Sequence, residues 1–231
     1  MAFQGYTQQT VDFMWGIRFN NERGWFLEHK DDYINTFLTP TRELGEQVYD
    51  AVHALLPDEP LMLKVSRIYR DARRLFGRGP YKDHLWWCIR TGDKDWTGRP
   101  TFWFELGPDY YSFGLGFWSP AAALMETYRK QIDAHPEELS KLVRQFNRQS
   151  VFTLDGPEYA RSKGQTSDLL RSWYQKKSLS LRWEGPLDER IFTSALAENI
   201  IAGFKTLIPF YRYFNKLVAL TPRQERRGEE A

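Results

Sequence analysis

The sequence predicts an α+β fold in which a mainly antiparallel central sheet packs against amino-terminal and carboxy-terminal helices. Hydrophobic residues recur at helical spacing in the first quarter of the chain, alternate with polar residues in the middle, and return to helical spacing afterwards. No regular crossover helices separate the alternating segments, and no glycine-rich turn leads from a strand into a helix. An antiparallel sheet is therefore favoured over a doubly wound parallel one.

The amino-terminal quarter is predicted to be helical. Apolar residues in 10–20 and again in 25–33 recur at roughly helical spacing. Thr39-Pro40 predicts the N-cap and first turn of a further helix, because proline at the first helical position loses no internal hydrogen bond. Pro57 is expected to end that helix.

Strands are predicted in the middle of the chain and once more before residue 184. Alternation indicates strands at 61–65 and 177–183, and a short apolar run indicates another at 85–90. Aromatic runs at 101–106 and 110–117 predict a hairpin across Gly107-Pro108-Asp109.

The last third of the chain is predicted to be mostly helical. Helices are expected from Ser119-Pro120, from Pro136, and over 188–217 with a kink or interruption at Pro209. We expect one domain over residues 1–220 and a charged, frayed tail at 221–231.

Composition excludes several classes of protein. The chain has 231 residues, of which 42% are hydrophobic and 27% charged, as in soluble globular proteins, and its mean hydropathy of −0.60 excludes a membrane-embedded protein. Cys88 is the only cysteine, so no intramolecular disulfide can form and a reducing, cytoplasmic setting is expected. The stretch before Asp12 lacks the basic flank and apolar run of a secretory signal, so export is not expected.

Charge is unevenly distributed along the chain. Residues 1–60 hold 4 basic and 10 acidic residues, whereas residues 61–100 hold 10 basic and 4 acidic residues. Within the basic segment, Arg67-Ile68-Tyr69-Arg70-Asp71 continues to Arg73, and Pro80-Tyr81-Lys82 follows. A local basic excess favours an anion site over the uniformly basic surface of a nucleic-acid coat protein.

These motifs also carry a family resemblance. Together with Asn20-Asn21 and Trp25-Phe26, the R-I-Y-R-D-x-R and P-Y-K segments resemble bacterial and fungal proteins catalogued as a conserved domain of unknown function. The matching residues span about 11–217. The resemblance implies a single-domain extent and a shared fold, and it implies no catalytic residue.

The strongest candidate site lies in the basic segment. Guanidinium forks match phosphate or carboxylate oxygens, and lysine adds a point charge. The candidate ligand-binding residues there are Arg67, Arg70, Arg73, Tyr81 and Lys82. In the alternative interpretation, these arginines pair with acidic residues of the amino-terminal helices. A second candidate grouping consists of residues 161–164 with Lys176 and Lys177, of which Lys163 and Lys177 are the candidate ligand-binding residues. It would complete one pocket if the chain brought the two groups together, and a solvated loop is the alternative.

Acid–base candidates lie beside the basic motif. His84 is the best of them because imidazole titrates near neutral pH, and Asp71 and Asp83 are the candidate carboxylates. A histidine bonded within the fold is the alternative for His84. No metal-ligand spacing and no nucleotide-binding glycine motif occurs, so no metal and no cofactor is predicted.

Three function classes follow from these patterns. The leading one is a pocket for a small anionic ligand, in an enzyme acting on an acidic or phosphorylated substrate. A nucleic-acid binding module is the less favoured alternative, in which aromatic residues form a stacking face beside the arginines, unless they pack in the core. The aromatic candidates are Trp86, Trp87, Trp96, Trp103, Tyr110, Tyr111 and Trp118. The third is a structural or partner-binding protein without an active site, and no membrane partner is expected.

Overall fold

The computed structural model describes residues 2–75 and 77–222 and contains a six-stranded sheet. The strands are β1 (Leu61–Val65), β2 (Leu85–Thr91), β3 (Pro100–Leu106), β4 (Tyr110–Phe117), β5 (Thr153–Asp155) and β6 (Ser180–Pro186). Their order is β1-β2-β3-β4-β6-β5, and every neighbouring pair is antiparallel. The predicted α+β class is therefore confirmed, with β5 as a strand that is too short to show alternation in the sequence.

Helices flank the sheet in the chain order that the sequence predicts. They are α1 (Gln8–Phe19), α2 (Arg23–Glu28), α3 (Lys30–Asp32), α4 (Thr39–Leu55), α5 (Ala122–Ala134), α6 (Pro136–Phe146), α7 (Arg171–Tyr174) and α8 (Ala195–Leu220). Pro209 lies inside α8, which is assigned as one helix on both sides of the proline. Within the described residues, no helix combines the length and apolar composition that crossing a bilayer requires.

One face of the sheet forms the core with α4 and α8. Trp87 of β2 and Phe102 of β3 both contact Phe204 of α8, with ring centroids 6.3 and 4.8 Å apart. Because side chains alternate along a strand, Trp86 and Trp103 lie on the other face, where both remain half-buried. One cluster of buried apolar residues runs from Phe3 to Leu217. The sheet thus has a core face and a second, more polar face.

The predicted helix is confirmed as α4 (Thr39–Leu55), but the prediction that Thr39 is its N-cap is wrong, because Thr39 itself has helical backbone. A π-helical turn at Tyr33–Leu38 joins α3 to α4, so the helical path reaches Pro40 without a break. Proline has no N–H to offer the carbonyl four residues earlier, that of Thr36. The hydroxyl of Thr10 in α1 donates to this carbonyl instead, at 2.6 Å. A long-range hydrogen bond therefore replaces the missing helical one.

The predicted helix over 188–217 begins later than expected. A 3-10 turn at Glu189–Phe192 comes first, and Thr193 has extended backbone before α8 begins. The predicted frayed tail lies outside the described residues from 223 onward.

Candidate functional site

The R-I-Y-R and P-Y-K segments of the basic motif lie side by side. The N–H of Arg70 donates to the carbonyl of Pro80, and the N–H of Lys82 donates to the carbonyl of Ile68, both at 2.8 Å. Tyr69 and Tyr81 form the β-bridge between these bonds. The pairing brings the backbones of Arg70 and Lys82 together.

The amino-terminal helices hold this bridge in place. The carboxamide of Asn21 donates to the carbonyl of Tyr81 and accepts from its N–H, both at 2.9 Å. The ring of Tyr81 is 4% exposed and stacks on Phe26 of α2, with centroids 4.3 Å apart. Tyr81 thus supports the site from the core.

Asp83 connects three basic side chains at the start of β2. Its carboxylate accepts from Arg18 Nε at 2.6 Å, lies 2.9 Å from His84 Nδ1, and is 4.0 Å from Arg70 Nη2. Arg18 also reaches Asp109 at 3.5 Å. The hydrogen bond with His84, and then the Arg18 guanidinium, hold the pKa of Asp83 well below its usual range, although burial acts in the opposite direction. Asp83 is therefore an ionised hub.

Lys82 carries a positive charge that the described residues leave unpaired. Its half-buried ammonium has no hydrogen bond or ion pair there and lies 5.6 Å from the ring centroid of Trp86. Burial, followed by the charges of Arg70 and Arg67, lowers the pKa of Lys82 to about 8, against the attraction of Glu105. Glu105 itself accepts a hydrogen bond from the hydroxyl of Tyr110.

The structure groups some of the predicted residues and separates others. Arg67, Arg70, Lys82, Asp83 and His84 form one neighbourhood, which we call the Lys82 site.

Asp71 and Arg73, the other two charged residues of the R-I-Y-R-D-x-R motif, contact each other. Arg73 is 88% exposed and pairs with Asp71 at 2.8 Å, and the same carboxylate also accepts from the backbone N–H of Arg73. Asp71 thus contacts Arg73, whereas Asp83 contacts Arg18 and Arg70.

Lys163 and Lys177 lie toward the opposite end of the sheet. Lys177 lies just before β6. The first residue of β6 pairs with Gly116 near the end of β4, and Gly116 pairs with Thr101 near the start of β3. Lys177 is therefore near the β3 start. Lys82 precedes β2, whose first residue pairs with Leu106 at the end of β3. Seven residues of β3 at about 3.3 Å each separate these ends by roughly 20 Å. The two basic groups are therefore separate sites.

The sequence patterns did not predict two charged residues that contact or border the Lys82 site. Arg18 comes from α1 and Glu105 from β3, and neither belongs to the basic motif. The acidic amino-terminal segment predicted ion pairs in which its carboxylates contact arginines of residues 61–100. The structure shows the reverse arrangement, because Arg18 of the amino-terminal segment supplies the cation and Asp83 the carboxylate.

The aromatic residues divide between the two faces of the sheet. Trp87 and Tyr111 are fully buried in the core, whereas Trp86 and Trp103 are half-buried on the second face and Trp118 is 78% exposed. Cys88 is a buried free thiol, and burial raises its pKa to about 11. Among residues 2–75 and 77–222, no three His, Cys, Asp or Glu side chains gather as a metal ion would require.

Comparison with known families agrees with the motif resemblance. No curated protein matches the chain. The family model described as conserved hypothetical protein (DUF2461) matches residues 9–213, which include Asn21, the Tyr69–Tyr81 β-bridge and most of the fold. The chain therefore belongs to this family of conserved hypothetical proteins.

Proposed function

We propose that this protein binds a small anion, a phosphate or carboxylate, at the Lys82 site. The observation that carries the proposal is the half-buried ammonium of Lys82, which lies near two guanidinium groups and has no acidic partner within ion-pair distance among the described residues. A half-buried charge without a partner is costly, and an anion would offset that cost. Asp83 does not do so, because Arg18 and His84 already engage its carboxylate.

The same site offers a group for proton transfer. Asp83 bonds Nδ1 of His84, and no described residue bonds the other ring nitrogen, Nε2. A carboxylate that holds one imidazole nitrogen leaves the second one oriented to exchange a proton with a bound molecule. We therefore propose an enzyme acting on a small acidic or phosphorylated substrate, with His84 as general acid or base and Asp83 as its positioning residue.

Nucleic-acid binding is the second candidate function, and one observation favours it. The Lys82 site borders the second face of the sheet, where Trp103 and Trp86 are half-buried and Arg182 lies 5.9 Å from the ring centroid of Trp103. Aromatic rings beside cations can stack bases. Glu105 and Glu184 on the same face reduce its positive potential, so a small anion remains the better fit.

Isothermal titration calorimetry on the full chain tests the proposal. The probes are inorganic phosphate, citrate, AMP and a short single-stranded oligonucleotide, compared between the wild type, Lys82→Gln and the matched control Lys94→Gln, which removes an exposed charge in the β2–β3 connection. We expect at least one small anion to bind and Lys82→Gln to weaken it by about tenfold or more, with Lys94→Gln unchanged.

Two outcomes would count against the small-anion function. If Lys82→Gln bound the small anion with the affinity of the wild type, Lys82 would not contribute to anion binding. Binding of the oligonucleotide alone, with an affinity that falls steeply as salt rises, would favour the nucleic-acid alternative.

A further inference from the structure

Three positive side chains converge on the ring of Tyr159, far from the Lys82 site. Lys163 Nζ lies 4.4 Å, Arg129 Cζ 5.1 Å and Lys177 Nζ 5.4 Å from the ring centroid. They come from three parts of the chain: the loop after Tyr159, helix α5, and the segment before β6. We call this group the Tyr159 cluster.

Nearby acidic side chains already have other partners. Glu158 pairs with Lys176 at 2.9 Å, and Asp168 pairs with Arg171. Asp133 accepts a hydrogen bond from the hydroxyl of Tyr174 at 3.1 Å. None of these carboxylates lies within ion-pair distance of the cluster's cations.

The cluster therefore retains positive charge that the described part of the chain does not neutralise. Arg129, Lys163 and Lys177 make no ion pair within that part, and the Nη1 atom of Arg129 is buried without a hydrogen-bond partner. A buried guanidinium nitrogen without a hydrogen-bond partner destabilises the fold, and the repulsion among three cations adds to that cost. A bound anion would remove both penalties.

A pocket of about 560 Å³ adjoins the cluster through Tyr159, which is the residue that the pocket and the cluster share. Its lining includes Tyr159, Ser162, Gln165, Thr166, Arg171 and Gln175. The volume lies within the range of small-molecule sites, roughly 300–1,000 Å³. Hydroxyl and carboxamide groups dominate this lining, so the cavity suits a ligand that carries hydroxyl groups of its own.

The loop that forms this wall is held by its own hydrogen bonds. Gln175 Nε2 donates to Ser162 Oγ at 3.2 Å, and Gln175 Oε1 accepts from the N–H of Lys163 at 3.3 Å. Gly164 has φ of +157°, and a Cβ there would lie 2.8 Å from the hydroxyl of Tyr174. The loop thus presents Ser162 and Lys163 from a defined backbone, which lowers the entropy cost of binding.

We propose that the Tyr159 cluster and its cavity bind a phosphorylated, hydroxyl-bearing small molecule, of which a sugar phosphate is the simplest type. Three cations match a phosphate dianion better than a single carboxylate, and the cavity wall supplies hydroxyl and amide partners for the sugar. This site is separate from the Lys82 site, because the two lie at opposite ends of the sheet. The inference therefore does not depend on the proposed function.

Calorimetric titration with glucose 6-phosphate tests the inference, with inorganic phosphate and glucose as partial ligands. We expect glucose 6-phosphate to bind more tightly than phosphate and glucose to give no measurable binding. The double variant Lys163→Gln/Lys177→Gln should lose about tenfold or more in affinity. Both lysines are exposed, so this variant is expected to fold, and its circular dichroism and melting temperature check that expectation.

Two further variants separate this site from general charge effects and from the Lys82 site. Lys141→Gln/Lys205→Gln removes two exposed lysines from α6 and α8 and should bind like the wild type. Lys82→Gln should keep the glucose 6-phosphate affinity that the Lys163→Gln/Lys177→Gln variant loses. The inference would be overturned if Lys163→Gln/Lys177→Gln bound glucose 6-phosphate as tightly as the wild type does. It would also be overturned if glucose bound as tightly as glucose 6-phosphate, or if about 10 mM glucose 6-phosphate gave no binding.

Discussion

Lys82 is the residue at which stability and the proposed binding of an anion are most directly opposed. Its ammonium is half-buried beside Arg67 and Arg70, and burial and these charges lower its pKa to about 8. The charged form is thus less favourable in the folded protein than in the unfolded chain. A residue whose charge destabilises the unliganded fold is expected at a binding site.

Lys82→Met should therefore stabilise the protein in a buffer without phosphate. We expect a gain of about 1 kcal/mol at pH 7 in urea unfolding, because the variant keeps apolar contact with Trp86 and loses the charge. The ordinary pKa of lysine is about 10.4, so between pH 8 and that value the unfolded wild type binds more protons than the folded form. Wild-type stability rises with pH in this window, and the advantage of the variant shrinks.

The control for this variant is Lys64→Met, which changes an exposed lysine of β1 and should shift stability by no more than about 0.5 kcal/mol. A Lys82→Met protein that is less stable than the wild type at pH 7 would indicate that Lys82 supports the fold.

Asp83 should behave in the opposite way. Asp83→Asn leaves Arg18, Arg70 and His84 without their shared carboxylate, and we expect a loss of about 2 kcal/mol at pH 7. Because the folded-state pKa of Asp83 lies below its usual range, this contribution is present above about pH 4 and is lost as pH falls further.

Unfolding in urea at pH 7 and pH 3 measures the effect of Asp83→Asn. Asp109→Asn is the matched control, since Asp109 is 57% exposed and contacts Arg18 only at 3.5 Å. Equal losses in the two variants would contradict the role of Asp83 as the hub.

At the scale of elements, the join between α3 and α4 depends on a single hydroxyl. Thr10 is fully buried, accepts from the N–H of Thr7 at 3.1 Å and donates to the carbonyl of Thr36. Thr10→Val removes both bonds at nearly constant volume and should cost about 1–3 kcal/mol, because the Thr36 carbonyl loses its partner.

Thr10→Ser keeps the hydroxyl and should recover much of that loss in thermal unfolding. Equal melting temperatures of Thr10→Val and the wild type would contradict the role assigned to this bond.

The pairing of β4 with β6 depends on close backbone approach. A Cβ at Gly114 would overlap the carbonyl oxygen of Leu181, which belongs to the backbone and cannot rotate away. Gly114→Ala should therefore destabilise the protein by about 2 kcal/mol or more. Gly24 in α2 has open space around it, so Gly24→Ala should be neutral or slightly stabilising in the same unfolding measurement. Similar effects of the two substitutions would contradict this account of the sheet.

Local patterns explain why most elements could be predicted. The hairpin of β3 and β4 follows from its aromatic runs and the turn at 107–109, which are properties of adjacent residues. The N-cap prediction at Thr39 failed because the helical path continues from α3 through the turn at Tyr33–Leu38, where the Thr36 carbonyl bonds the hydroxyl of Thr10, 26 residues away. The strand β5 has only three residues and takes its structure from β6.

The same limit applies to the candidate sites. The R-I-Y-R and P-Y-K motifs predicted that Arg70 and Lys82 matter, since both lie in one basic segment. Arg18 and Arg129 could not be found in this way, because each reaches its site from a helix far along the chain. Whether two basic groups converge depends on strand order, which charge patterns do not encode.

At the scale of the whole molecule, the antiparallel sheet separates two concentrations of positive charge. The Lys82 site lies where β2 begins, and the Tyr159 cluster lies near the start of β6, roughly 20 Å away along β3. Each group includes one arginine from a helix: Arg18 of α1 in the first and Arg129 of α5 in the second. The two proposed anion sites are therefore expected to act independently.

The central claim is that Lys82 holds an uncompensated charge that an anion compensates. Its most direct measurement is the titration of the Lys82 Nζ by nuclear magnetic resonance, with and without sulfate, a dianion that does not titrate in this range. We predict a midpoint of about 8 in the free protein and a higher one with sulfate. A midpoint near the ordinary lysine value of about 10.4, unchanged by sulfate, would contradict the account.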